Sequence, residues 1–350
     1  MKNKSKKNQH DLDPELRKDI VSGDWILLAH ARKARPHDFK KDSHDKPTPK
    51  NRCPFEDPQK TNKVVPVLWF QNPAKRKNGE EVCLKDWFLQ VIPNKYPAVV
   101  PRSGECPEAF TKGPYTSMKA VGFHEVIITR PHDRSLAKMS KEEAELVIRA
   151  YQERIHDLSV VQCLKYILVF HNHGKAAGAS IYHPHSQLIA LPIIPLDVRR
   201  SLHGSYKFYQ KNKKCSHCTV IKHELKEKKR LIYKNKSFAV IAPYTPRVSF
   251  ELRIFPLRHQ SRFETITTKE RMFLADALVT SLGKLYKGLN NPAYNFFVHT
   301  APIEYKKYKH YHWHLEILPK TSIFAGVELG TGVEVVAVSP EETAEYLKKF

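Results

Sequence analysis

The segment Asn172-His-Gly-Lys-Ala-Ala-Gly-Ala-Ser180-Ile-Tyr-His183-Pro-His185-Ser-Gln187 gathers groups suited to phosphate chemistry. On a β-strand, residues two apart share a face, so His183, His185 and Gln187 form one polar row while Leu188 and Ala190 turn to the other side. Pro184 and the apolar run LIALPIIP argue for burial of that row rather than an open surface. Gly174, Gly178 and Ser180 form a turn whose backbone N–H groups and hydroxyl can hold a phosphate. A neutral imidazole oriented by a hydrogen bond is a good nucleophile toward phosphorus, and His185 suits that role. Gln187 can donate to a phosphate oxygen as negative charge builds, yet it delivers no proton. Such a pair favours expulsion of a sugar phosphate, which needs no general acid.

A second chemistry repeats. His132 lies 51 residues before His183, and His259 lies 53 residues before His312. Upstream of each pair sits a short cysteine motif, C-P-F-E at Cys53 to Glu56 and C-S-H-C at Cys215 to Cys218. Two ligands from an x₂-spaced pair with two distant histidines is the pattern of a tetrahedral zinc site. Cys215, Cys218, His259 and His312 form one expected set. Cys53, Glu56, His132 and His183 form the other, with a carboxylate replacing a thiolate and binding that is weaker and more sensitive to pH. H-W-H-L-E at His312 to Glu316 lacks the Gly/Ser turn and reads as non-nucleophilic.

The elements that must position these residues recur in the same order. WFLQVIPN, HEVIITR, YILVFHNHG and HSQLIALP read as strands, with a Ser140-capped helix from Met139 to Leu158 between the second and third. SFAVIAPY, SFELRIFP, YNFFVHT and YHWHLEILP repeat that order around a Thr-capped helix from Thr268 to Leu289. The fold class is therefore α+β: two tandem units spanning 15–200 and 201–350, each an antiparallel sheet with a long helix, sharing one extended sheet surface. Residues 1–14 read as a basic solvated tail, and the proline-rich stretch from Ala34 to Lys63 as an irregular loop.

The chain has 350 residues, of which 41% are hydrophobic, enough for a substantial core and against global disorder. It holds no run of about 18 apolar residues and no leader-like start, which argues against a membrane-spanning or classically secreted protein and makes a cytoplasmic one the expectation. The net charge of +23 suits phosphates and nucleotides, but the basic residues are dispersed and lack an aromatic-interleaved RNA-binding pattern. Six cysteines are too few for a disulfide scaffold, which points to a reducing compartment with metal as the use of the clustered pair.

The run from Asn172 to Gln187, with H-P-H-S-Q, resembles the active-site segment of galactose-1-phosphate uridylyltransferases, the H-x-H-x-Q branch of the histidine-triad superfamily. The resemblance extends from SGDWILLAHARKARPHDF to FAGVELGTG. It implies two histidine-triad-like halves, a homodimer, zinc, and a ping-pong exchange of UMP between UDP-glucose and a hexose 1-phosphate through a uridylyl-His185. It further implies that Asn172, Gly178 and Ser180 contact the phosphates, that Arg32 and Arg35 neutralise their charge, that Asn94 lies near the nucleotide, and that Glu328 holds hexose hydroxyls. Relatives usually carry C-P-x-C where this chain has Cys53-Pro-Phe-Glu56. G-A-S-x-x-H-P-H-S-Q also occurs in adenine-handling relatives, so an ADP-sugar or dinucleotide phosphorylase is the alternative enzyme. A catalytically silent nucleotide- or nucleic-acid-binding protein ranks third.

Overall fold

The computed structural model describes residues 14–30, 48–71, 84–102, 106–303 and 308–350. Its first strands are β1 (Glu15–Lys18), β2 (Trp25–Leu28), β3 (Leu68–Gln71), β4 (Trp87–Pro93), β5 (Phe110–Lys112), β6 (Tyr115–Ser117), β7 (Phe123–Thr129), β8 (Tyr166–His173) and β9 (His185–Leu191). Helices α1 (Pro58–Asn62) and α2 (Lys141–Ser159) lie among them. The later strands are β10 (Leu231–Lys234), β11 (Phe238–Ile241), β12 (Leu252–Pro256), β13 (Tyr294–His299), β14 (His314–Pro319) and β15 (Val335–Val336). The later helices are α3 (Leu196–Asn212), α4 (Ser216–Glu227), α5 (Thr268–Gly288), α6 (Gly326–Thr331) and α7 (Pro340–Leu347).

Ten strands form one sheet in the order β10-β11-β12-β14-β13-β8-β9-β7-β4-β3, and every pairing in it is antiparallel. Read outward from the central β8–β13 pair, both arms have five strands in the same connectivity, with α2 and α5 inserted at equivalent points. The α+β duplication seen in the histidine spacing is thus visible in the topology. The arms meet through backbone pairing that sets Asn295 opposite Asn172 and Phe296 opposite His171.

Side-chain alternation decides which sheet face does what. On β9, Ser186, Leu188 and Ala190 are buried toward α2, whereas His185 and Gln187 point to the opposite face. Leu188 and Ala190 join Val147, Ile148 and Tyr151 of α2, and Leu274, Leu278 and Leu282 of α5, in one continuous core. Both long helices begin with full capping boxes, Ser140 with Glu143 and Thr267 with Glu270, which satisfy otherwise orphaned N–H groups.

Several features depart from the sequence expectations. The described part of the proline-rich stretch contains a 3₁₀ turn at Lys50–Arg52 and then α1, where Asp57 caps the helix and Pro58 occupies its first turn. α3 was not expected because Val198 and Ser205 are its only fully buried residues, so its apolar period is faint. Cys106 and Cys163 form a disulfide across 57 residues of sequence. It ties the excursion between β4 and β7 to the turn after α2, and the isolated spacing of these cysteines gave no sign of it. Residues 1–13 of the expected tail lie outside the described residues. Among the described residues, no helix is long and apolar enough to cross a membrane.

Candidate active site and metal-ligand clusters

His185 begins β9 and is buried. Its Nδ1 lies 2.9 Å from the His183 carbonyl oxygen, an atom that can only accept, so Nδ1 carries the hydrogen. The lone pair is thereby left on Nε2. Burial holds the imidazole below its ordinary titration range, partly offset by that hydrogen bond, and keeps it neutral near pH 7. Phe55 packs edge-on against the ring at 5.1 Å and fixes its plane. Gln187, two residues along the same face, is half-buried and contacts His124 through Oε1 at 2.9 Å.

The turn between β8 and β9 places the expected phosphate contacts beside this row. Gly174 and Gly178 both adopt positive φ, at 82° and 85°, which the 3₁₀ turn Lys175–Ala177 between them requires. A Cβ on Gly178 would lie 3.9 Å from Asn172 Nδ2, so the Asn172 amide nitrogen faces the turn. Asn295 of β13 donates from Nδ2 to Asn172 Oδ1 and to the Ala177 carbonyl, each at 2.8 Å. A strand of the other arm therefore orients both Asn172 and the turn. Neither Asn295 nor His124 was identifiable beforehand, because each acts through a neighbouring strand whose register the sequence does not show.

Ser180 is exposed at the end of the turn. Asn94 follows β4, accepts the Tyr96 N–H at 2.9 Å and brings its Nδ2 to 3.2 Å from His124. Arg32 and Arg35 lie outside the described residues. Glu328 sits in α6, where its carboxylate accepts the Ala325 N–H at 3.0 Å, a local capping contact.

Both four-residue clusters converge, each with its donor atoms mutually within 4.8 Å. In the first, His132 Nε2 donates to Thr48 O at 2.7 Å and His183 Nε2 to Thr129 O at 2.6 Å, so both rings turn a bare Nδ1 inward. His132 Nδ1 and Glu56 Oε1 stand 2.6 Å apart, a contact that either a proton added to Nδ1 or a shared cation satisfies. Cys53 Sγ completes the group 3.5 Å from His183 Nδ1, and burial pushes the His183 imidazole down to about 4. In the second cluster Cys218 Sγ lies 3.3 Å from Nδ1 of both His259 and His312, while His312 Nε2 donates to Pro256 O.

The helix caps hold the ligand arms. Arg258 makes a bidentate contact with Glu270, and Gln260 donates to the same carboxylate, so the residues on both sides of His259 are pinned to the start of α5. In the first arm Arg134, two residues after His132, pairs with Glu143 at the start of α2. A third convergence, His299, His314 and Glu316, lies at the counterpart of His185 and Gln187. There Arg253 already joins Glu316 and Glu251, His299 bonds Glu316 at 2.8 Å, and the His314 ring stacks between Phe255 and His299. Glu316, already paired with Arg253 and His299, offers no amide N–H where the first arm has Gln187.

The model of the galactose-1-phosphate uridyl transferase N-terminal domain matches residues 3–195, and that of a domain of unknown function, DUF4921, matches residues 114–349. An ADP-glucose phosphorylase of Arabidopsis thaliana is 34% identical over 343 residues, covering 96% of this chain and 93% of its own. A galactose-1-phosphate uridylyltransferase of Thermotoga maritima is 27% identical over 345 residues, covering 96% and 98%. The crystal structure of the Arabidopsis ADP-glucose phosphorylase with bound ADP-glucose superposes with a TM-score of 0.77 at 29% identity, over 97% of this chain and 99% of that one. A uridylyltransferase structure superposes at 0.71 and 28% identity, over 96% and 97%.

Proposed function

The chain belongs to the galactose-1-phosphate uridyl transferase family, and from that premise we propose that it transfers a nucleoside monophosphate from a nucleoside diphosphate hexose to a second phosphate through a covalent intermediate on His185. The carrying observation is the His185 hydrogen bond to the His183 carbonyl, which leaves Nε2 as the nucleophile. Nε2 attacks the α-phosphorus, the bond to the β-phosphate oxygen breaks, and hexose 1-phosphate departs as an anion. The positive charge acquired by the imidazole rests on Nδ1–H and is stabilised by the His183 carbonyl. An acceptor phosphate oxygen then attacks the same phosphorus and returns the electron pair to Nε2. Gln187 donates to a non-bridging oxygen in both steps, and the turn at 174–180 with Asn172 seats the phosphates.

ADP-glucose as donor with inorganic phosphate as acceptor is the specific reading favoured by the 34% identity to an ADP-glucose phosphorylase over nearly the whole chain. UDP-glucose with a hexose 1-phosphate is the second reading, favoured by the family model over residues 3–195 and the Thermotoga relative. In either case zinc suits the donor types of both clusters. Donors about 2.0–2.3 Å from a tetrahedral ion stand roughly 3.5 Å apart, close to the 3.5 Å between Cys53 and His183 and the 3.3 Å of Cys218 with His259 and His312, while His132 and Glu56 would have to part from 2.6 Å. Bound there, it would supply structural cross-links between the cysteine motifs and the segments that lead into β9 and β14. The homodimer implied by the family resemblance belongs to the same reading, and light scattering at twice the chain mass is the expected result.

Intact-mass measurement after incubation with ADP-glucose or UDP-glucose, quenched at neutral pH, tests the proposal. A gain of one AMP assigns the adenylyl reading and a gain of one UMP the uridylyl reading. Adduct formation that persists in His185→Gly overturns the role of His185.

A further inference from the structure

The usefulness of Gln187 depends on which end of its amide faces the phosphate, and two contacts of His124 on β7 decide this. His124 lies on the same sheet face, diagonal to Gln187, because β7 and β9 set Val126 opposite Gln187 and His124 opposite Ile189. The backbone N–H of Ala98 donates to His124 Nδ1 at 3.1 Å. A backbone amide cannot reverse its polarity, so Nδ1 is the acceptor and Nε2 of the neutral ring carries the hydrogen. That Nε2–H meets Gln187 Oε1 at 2.9 Å. The opposite amide orientation would set the Gln187 NH₂ against Nε2–H, two donors facing one another. Asn94 Nδ2, 3.2 Å from Nε2, cannot replace this arrangement, since donating there would put a hydrogen on Nδ1 against the Ala98 amide.

We propose that His124 is a positioning residue: it relays the polarity of the Ala98 amide to Gln187 and commits the Gln187 NH₂ to the phosphate. The relay also couples Gln187 to the segment carrying Asn94, whose N–H donates to the His124 carbonyl at 2.8 Å. The inference rests on the reading of Gln187 as phosphate-oxygen donor, and its test separates the two. First-turnover release of glucose 1-phosphate from the donor is measured for Gln187→Ala, His124→Phe, His124→Gln and the Gln187→Ala/His124→Phe double variant.

Loss of the donor in Gln187→Ala is expected to slow that step about 100-fold. His124→Phe is expected to slow it at least about tenfold with the donor KM changed less than about threefold, because misorientation removes a contact that matters most in the transition state. The double variant should be no slower than Gln187→Ala alone, and His124→Gln, which retains an N–H donor, should recover most of the rate. A His124→Phe effect that multiplies with Gln187→Ala, or is under twofold, overturns the relay while leaving the Gln187 reading intact. An unaffected Gln187→Ala overturns that reading and the relay with it. Should His124→Phe not fold, His124→Asn, too short to reach Gln187, carries the same expectations.

Discussion

At the scale of single residues, backbone carbonyls set the tautomers of His132, His183, His185 and His312, and a backbone amide that of His124. His132, His183 and His312 spend Nε2 on carbonyls and turn Nδ1 to their clusters, whereas His185 spends Nδ1 and keeps Nε2. The repeated spacing of histidines made the two convergent clusters legible in the sequence, since two copies of one pattern are hard to produce by chance. His124 left no such trace, because it matters only through the 2.9 Å contact made by strand register. The first cluster contains the carboxylate of Glu56 where the second has the thiolate of Cys218, and thiolate holds zinc more firmly. On the proposed zinc reading, a chelator titrated into the purified protein is therefore expected to empty the first cluster well before the second. Glu56→Cys should bring the two losses together, read by elemental analysis of the dialysed protein.

At the scale of elements, the first turn of each long helix does two jobs. Glu270 caps α5 and holds the arm bearing His259, and hydrogen bonding from Arg258 draws its carboxyl down to about 2 from an ordinary 4.5. A depressed carboxyl stabilises the fold above its unfolded value and ceases to as pH falls through the folded one. Glu270→Gln is thus expected to cost about 1 kcal/mol at pH 7, with the difference from the parent protein shrinking between pH 4.5 and pH 2 in urea titrations. On β13, Asn295 steadies the phosphate turn of the other arm. Asn295→Leu removes both hydrogen bonds and should raise the donor KM at least about fivefold with kcat little changed. The caps of α2 and α5 were legible because Ser or Thr followed three residues later by Glu is a local signal. The polar helix α3 was not, since an element with few buried residues leaves a weak pattern.

At the scale of the whole molecule, the two arms share a sheet and a core. β8 pairs with β13 at its centre, and Gln152 of α2 receives Arg271 of α5 across the same seam. Division at residue 200 would turn β8 and β13 into exposed edge strands, each keeping one neighbour, and expose the packed faces of α2 and α5. Separately expressed segments 15–200 and 201–350 should therefore be insoluble alone and recover circular dichroism only when co-expressed. That dependence was partly legible, because duplication showed in the spacing while the shared seam depends on tertiary pairing. The Cys106–Cys163 bridge places a second demand on the same chain. Thiolates in a metal cluster need reducing conditions, and the bridge needs oxidising ones, so a single reductant pulls the two kinds of cysteine in opposite directions. Opening the 57-residue loop returns roughly 4 kcal/mol of chain entropy to the unfolded state. Melting curves with zinc held constant should shift downward on adding a dithiol, and Cys106→Ser should abolish that shift. Storage buffer then becomes a variable of the molecule itself: the additive that protects one end of the protein loosens the other.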